Sequence, residues 1–198
     1  YTMNNQAELR SRFVELYGKH SDDFVVKGLF SFYLEDLVRP YQTAMFPERI
    51  TSTMFTEHNP HLIPGTRKWH PKRGEKINGA LNPLHYLTPC KTKAYTGLLA
   101  KLATRISAST KNAPASRLKE IYQRIFFDEV QDLVGWDFDV IKALSKAMHN
   151  SICCVGDFRQ TIYTTTFGHK APETPEQKIQ YFKDLNFSPC SLAKNRRC

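Results

Sequence analysis

Two acidic residues stand directly after a short apolar run: Ile125-Phe126-Phe127 reads as a buried strand, and Asp128-Glu129 follows it without a spacer. One carboxylate in that place can hold magnesium through its water shell, and its neighbour can orient or deprotonate an attacking water. The pair alone does not specify that chemistry, because an apolar strand ending in Asp-Glu also occurs in α/β proteins with other work. A second apolar run, Ser151 to Val155, ends in Gly156-Asp157, and Asp157 lies 29 positions after Asp128. Between the two runs, Phe138 to Met148 carries a helical stripe, so the segment reads as a βαβ unit. Continuous apolar strands alternating with a helix imply a parallel sheet covered on both faces, whose carboxyl ends are the places for ligands.

Other elements must frame that unit. Leu9, Phe13 and Leu16 predict an amphipathic helix over Thr2 to Tyr17, with Asn4 or Asn5 to cap it and Gly18 to stop it. Phe24-Val25-Val26 reads as a short strand, and Leu29 to Val38 as a helix closed by Pro40. From Tyr41 to Pro89 prolines interrupt any periodicity, and a basic cluster, Arg67-Lys68-Trp69-His70-Pro71-Lys72-Arg73, stands among them. Tyr95 to Ile106 is expected to be a helix with Leu98, Leu99, Leu102 and Ile106 along one stripe, and Ser107 to Ser116 a polar linker.

Composition limits the function classes. A 41% hydrophobic content is ordinary for a folded protein, and the formal charge of +9 favours a polyanionic partner, although basic proteins without one are common. No long apolar segment suggests a membrane span, and the expected location is the cytoplasm. The five cysteines are odd in number and without zinc spacing, which suits thiols in a reducing compartment. His58, His61, His70 and His85 are too scattered to argue for a metal.

Longer stretches around the strand ends are more specific. Asp128-Glu129-Val130-Gln131-Asp132 and Val155-Gly156-Asp157-Phe158-Arg159-Gln160-Thr161-Ile162-Tyr163 resemble the DExQD and GDxxQxIY boxes of the UvrD/Rep/PcrA helicases, superfamily 1 motors that move along single-stranded DNA. Thr2 to Arg12 is similar to the family's T-x-T-N-x-x-A-x-E segment, Gly28-Leu29-Phe30-Ser31-Phe32 to its T-F-H-S-F segment, and Asn195-Arg196-Arg197-Cys198 to its N-Y-R-S box. The order and spacing of the five match along the chain, while Tyr41 to Ser116 carries no motif. Phe30 stands where the family has histidine, Gly28 where it has threonine, and Arg196 where it has an aromatic residue.

The resemblance implies a RecA-like P-loop NTPase lobe of α/β class with a parallel sheet: 1–40 and 118–198 from the lobe, 41–117 a largely helical inserted subdomain. It implies ATP and Mg2+ as cofactors, with Asp128 on magnesium, Glu129 activating water, Gln160 sensing the terminal phosphate, and Arg197 placing positive charge on the transition state. Gln160 and Arg197 would then both touch the nucleotide. Single-stranded DNA is the implied partner, met by Thr2, Asn4, Phe30, Tyr163 and Phe167, and the basic cluster around Trp69 reads either as a contact to a duplex junction or as a solvated loop anchored by the tryptophan. No G-x-x-x-x-G-K-[ST] phosphate loop occurs in the sequence. With Tyr1 at one end and an interrupted box at the other, the expectation is a piece of an ATP-dependent DNA helicase, inactive when isolated. The alternative is a degenerate lobe that binds nucleic acid or a partner without turnover; Asp128, Glu129, Gln160 and Arg197 occurring together argue against it.

Overall fold

The apolar spacing at the start of the chain gives helix α1, Met3–Tyr17, in a computed structural model that describes residues 3–18, 24–148, 150–160 and 170–191, without the side chains of 3–5. Gly18, at φ +65°, ends α1 by returning its N–H to the Val14 carbonyl at 2.8 Å. A residue without Cβ adopts this left-handed stop at no steric cost. The apolar stripe is weakly used, since Leu16 is 78% exposed; Phe13 does the packing, stacked on Phe24 with centroids 4.2 Å apart. The strand expected at Phe24-Val25-Val26 is not formed: the segment pairs with no strand among the described residues, and the Val26 carbonyl accepts from the Arg10 guanidinium at 3.1 Å.

The expected stop at Pro40 also differs. Helix α2, Leu29–Phe32, continues as a π-helical turn over Tyr33–Val38 and a 3-10 segment over Arg39–Ala44. Changing the helix type at Arg39 places Pro40 in the first turn of a new segment, where an amide proton has no intrahelical acceptor and its loss costs nothing. Tyr33, Leu34, Leu37 and Val38 from this run are all buried.

Short elements follow: β1 (Ser52–Met54), β2 (Lys76–Ile77), β3 (Ala80–Leu81), α3 (Pro83–Tyr86) and β4 (Lys93–Tyr95). Strands β1 and β4 pair in parallel, Ser52 opposite Lys93, while β2 and β3 form a hairpin turned by Asn78 and Gly79, both at positive φ. Asn-Gly suits that turn because both residues tolerate the left-handed region. Ionic contacts close the region onto the helix that follows it, α4 (Thr96–Ser109): Glu75 is bonded to Lys101 at 2.8 Å and Arg105 at 2.7 Å, and accepts from the Tyr86 hydroxyl at 2.8 Å. Burial by itself would raise the Glu75 carboxyl, but these partners hold it at about 2.

The linker expected over Ser107 to Ser116 shrinks to three residues. Helix α4 runs to Ser109, and α5, Ala113–Ile121, starts after Lys111 and Asn112, both left-handed, with Pro114 in its first turn. The Asn112 side chain donates to the Ala143 carbonyl at 2.7 Å, which ties the turn to the next helix. The βαβ reading holds: β5 (Ile125–Phe127) and β6 (Ile152–Cys154) pair in parallel, Phe126 opposite Cys153, around α6 (Trp136–Ala147). Cover on both faces does not hold among the described residues. Phe127 is 6% exposed and Phe126 59%, because alternate side chains of a strand face opposite ways and one face here is bare.

Small parallel strand pairs with helices fit an α/β fold. Residues 33–38, α4, α5 and α6 pack together, and side chains from 1–40, 41–117 and 118–198 meet in one core cluster. Within 41–117 helix is concentrated in 96–117, with strands and turns before it. No helix among the described residues is long and apolar enough to cross a membrane. A polar contact crosses the core: the buried Tyr33 hydroxyl donates to Asp137 Oδ1 at 2.9 Å, and Asp137, 1% exposed, accepts from the Val134 N–H at 3.1 Å. Burial and the neighbouring carboxylate push the Tyr33 hydroxyl well above the ordinary tyrosine range. Tyr33→Phe removes a donor from a buried carboxylate and is expected to cost about 1–3 kcal/mol in urea unfolding with secondary structure unchanged; an unchanged midpoint would contradict this role.

Candidate active site

Parallel pairing of β5 and β6 brings the two acidic strand ends side by side. After Phe127 the chain turns sharply: Glu129 is left-handed, φ 54° and ψ 40°, and its N–H is accepted by Asp128 Oδ1 at 2.9 Å. A non-glycine residue in that region carries strain that its surroundings must maintain. The turn leaves Asp128 and Glu129 exposed and Val130 and Gln131 buried. The Val130 N–H donates to the Val155 carbonyl at 3.1 Å, so backbone contact between the strand ends continues beyond the ladder.

Gln131 joins the two boxes. Its side-chain Nε2 donates to Glu129 Oε2, and its Oε1 accepts from the Asp157 N–H at 3.1 Å. Asp157 continues the chain of bonds, its Oδ2 accepting from Gln160 Nε2 at 3.0 Å. Glu129 and Gln160 are thus connected through Gln131 and Asp157. Arg159 grips the same carboxylate twice, Nε to Oδ1 and Nη2 to Oδ2, each at 2.9 Å. Hydrogen bonds from Arg159, with a smaller one from Gln160, lower the Asp157 carboxyl to about 2.

Gly156 lets this network close. A Cβ there would lie 2.5 Å from Gln131 Oε1, 3.0 Å from Val130 Cγ2 and 3.1 Å from the Val130 nitrogen. The severe overlap is with the Gln131 amide oxygen, so a side chain at 156 would push that amide off its partners, and the Val130 backbone would have to give by a few tenths of an ångström as well. Lys178, on helix α7 (Pro175–Asp184), donates to the Gln131 carbonyl while fully buried.

The other expected site residues are placed as follows. Phe30 is half-buried in α2 and packs on the core. Asn4 falls in the first turn of α1, its side chain outside the description, and Thr2, Tyr163, Phe167 and Arg197 lie outside the described residues. In the basic cluster Trp69 is 62% exposed and stacked on His61, while Arg73 turns inward over the Tyr95 ring and donates to the Leu84 carbonyl at 3.0 Å. Sequence reasoning missed the bridging role of Gln131, the need for Gly156, and Lys178. A glutamine inside an acidic box gives a hint of the first; a lysine next to Ile179 gives none of the last.

Hard, exposed carboxylate oxygens at Asp128 and Glu129 suit magnesium, which keeps several waters and takes one or two carboxylates besides phosphate oxygens. No group of three His, Cys, Asp or Glu side chains converges as a metal cage among the described residues. The donor set therefore fits a water-shelled cation shared with a phosphate ligand better than a closed structural site.

The model of the UvrD/REP helicase N-terminal domain family matches residues 68–168, just over half of the chain, a span containing both strand-end boxes. No curated protein and no solved structure matches.

Two substitutions test the geometry. Gly156→Ala should destabilise the chain by about 1–3 kcal/mol through overpacking, read from denaturant unfolding; a neutral result would mean that the two strand ends do not approach this closely. The folded-state value of Asp157 is depressed, so the Arg159 grip is present above the unfolded value of about 3.9 and is lost as pH falls toward 2. In a carboxyl NMR titration Arg159→Ala should move Asp157 up toward that ordinary value.

Proposed function

The chain belongs to the UvrD/REP helicase N-terminal domain family, and on that premise we propose that it is a motor lobe of a protein that couples ATP hydrolysis to movement along single-stranded DNA. The observation that carries this reading is the hydrogen-bonded path Glu129–Gln131–Asp157–Gln160, which connects the residue assigned to water with the residue assigned to the terminal phosphate. A glutamine side chain both donates and accepts, so Gln160 can exchange its Asp157 partner for a phosphate oxygen and pass the change to Glu129 through the path.

Asp128 would hold magnesium through its water shell, and Glu129 would orient and deprotonate the attacking water. Magnesium, when bound, neutralises charge that develops on the phosphate oxygens. Arg197 would add a guanidinium to the same charge. The phosphate cradle has to come from residues other than these, because no G-x-x-x-x-G-K-[ST] occurs among the 198. Tyr163 and Phe167, after the second box, would stack on bases, and Thr2, Asn4 and Phe30 would line the same strand of DNA. Residues 41–117 would form an inserted subdomain whose exposed Trp69 and neighbouring cations reach a duplex junction.

The purified chain should bind oligo(dT) in fluorescence anisotropy, with affinity falling steeply as salt rises, and Tyr163→Ala should cost about 1–3 kcal/mol of that binding. It should show no ATP turnover by itself. Joined to a polypeptide that supplies a phosphate loop, it should hydrolyse ATP in response to DNA, and Glu129→Gln should lower that rate by about 10²-fold or more with DNA binding retained. Turnover by the isolated chain, or a Glu129→Gln protein of unchanged rate, would overturn the proposal.

A further inference from the structure

Lys178 is a fully buried lysine, 0% exposed, and among the described residues no other lysine or arginine is buried. Helix α7 holds it there. Thr174 and Gln177 form a reciprocal cap at the first turn of α7, with Pro175 inside it. Further along, Tyr181 packs edge-on against Phe138 at 5.3 Å and donates to Asp139 Oδ1 at 3.3 Å, and Phe182 lies between Phe138 at 5.4 Å and Phe158 at 6.3 Å. The helix is thus fastened both to α6, which follows the acidic loop, and to the turn that carries Gln160.

Taking an ammonium out of water is costly, and a methionine of similar volume would fill the same space without that cost. What the ammonium adds is a donor, and it is spent on the Gln131 carbonyl. The peptide pinned in this way is the one from which the Gln131 side chain reaches Glu129 and the Asp157 N–H. Burial lowers the Lys178 ammonium, while the nearby carboxylates of Asp132 and Asp137 favour its charged form. The hydrogen bond from its Nζ to the Gln131 carbonyl is the contact that fixes its position.

We propose that Lys178 is a positioning residue for the acidic loop: its bond to the Gln131 carbonyl fixes the amide bridge that aligns Glu129 with the second strand end. This rests on the reading of Glu129 as the water-activating group. Through it α7 becomes part of the site without touching nucleotide or water, and any movement of α7 against α6 is transmitted to Glu129.

The test is Lys178→Met, which keeps the volume and removes the donor, read by NMR on the full chain. Resonances from the core helices should stay in place, while solvent exchange of the Gln131 side-chain NH2 and of the Asp157 N–H should each accelerate at least about tenfold. A folded variant with both exchange rates unchanged would overturn the proposal. Should that variant not fold, the unaltered chain decides: an ammonium-selective spectrum should show slowly exchanging Lys178 Nζ protons with a scalar coupling across the hydrogen bond to the Gln131 carbonyl carbon, and a fast-exchanging ammonium without coupling would overturn it. Asp128→Asn leaves the bridge intact and separates the two readings. If Mn2+ binds that variant as it binds the unaltered chain, the cation reading of the acidic loop fails while the Lys178 result stands.

Discussion

The primary amide of Gln131 is the constraint on which the site depends. At 3% exposure it is cut off from water, so its donor and its acceptor both have to be satisfied within the protein. The partners it finds belong to different strands: a carboxylate oxygen of Glu129 on one side and the backbone N–H of Asp157 on the other. A primary amide carries its donor and its acceptor on separate atoms, which lets one side chain span the two strand ends. The left-handed turn at Glu129, the glycine at 156 and the buried ammonium of Lys178 are then conditions for one bridge. Each carries a local penalty, in backbone strain, in lost side-chain packing or in desolvation, and all three occur within the same few residues.

The frame around the bridge is built from helix more than from sheet. Strands β5 and β6 supply register, but three paired residues each cannot fix their own ends. Helix α6 packs on α4, and residues 33–38 pack on α4 beside it, so the acidic loop rests on the same cluster that receives Tyr33. The Tyr33–Asp137 bond joins residues 104 positions apart and places the start of α6 relative to the early part of the chain. Near the same point the Trp136 indole lies against three cations, Lys101, Arg105 and Lys170, the last with its ammonium 4.4 Å from the ring centroid. Charge that would otherwise stand at the surface is drawn onto a ring at the junction of α4, α6 and the segment before α7.

Much of the βαβ unit was legible because two apolar runs and a helical stripe allow few alternatives, and parallel pairing then sets Asp128 and Asp157 at the same edge. Three elements differ from what the sequence predicts, for separate reasons. Phe24-Val25-Val26 has strand composition, but a strand needs a partner and the Val26 carbonyl is bonded to an arginine instead. Pro40 stops a helix only where the helix type stays constant, and here it changes at Arg39. The polar stretch from Ser107 looked like a linker although Ser107 itself is buried. In the site, the placement of Asp128 and Asp157 at neighbouring strand ends is legible from the apolar runs that precede them. Gln131, Gly156 and Lys178 act through contacts with residues distant in sequence, and such contacts leave no period or composition to read; Gln131 and Lys178 are 47 positions apart.

We propose that the exposed carboxylates after β5 hold a divalent cation in front of the Gln131 bridge. Adding Mn2+ to the isotopically labelled chain and mapping paramagnetic broadening tests it most directly. Broadening is expected to centre on the amides of Asp128, Glu129 and Asp157 and to fade along α6. Broadening centred on another acidic residue, such as Glu75 or Asp184, with the strand ends sharp, would contradict it.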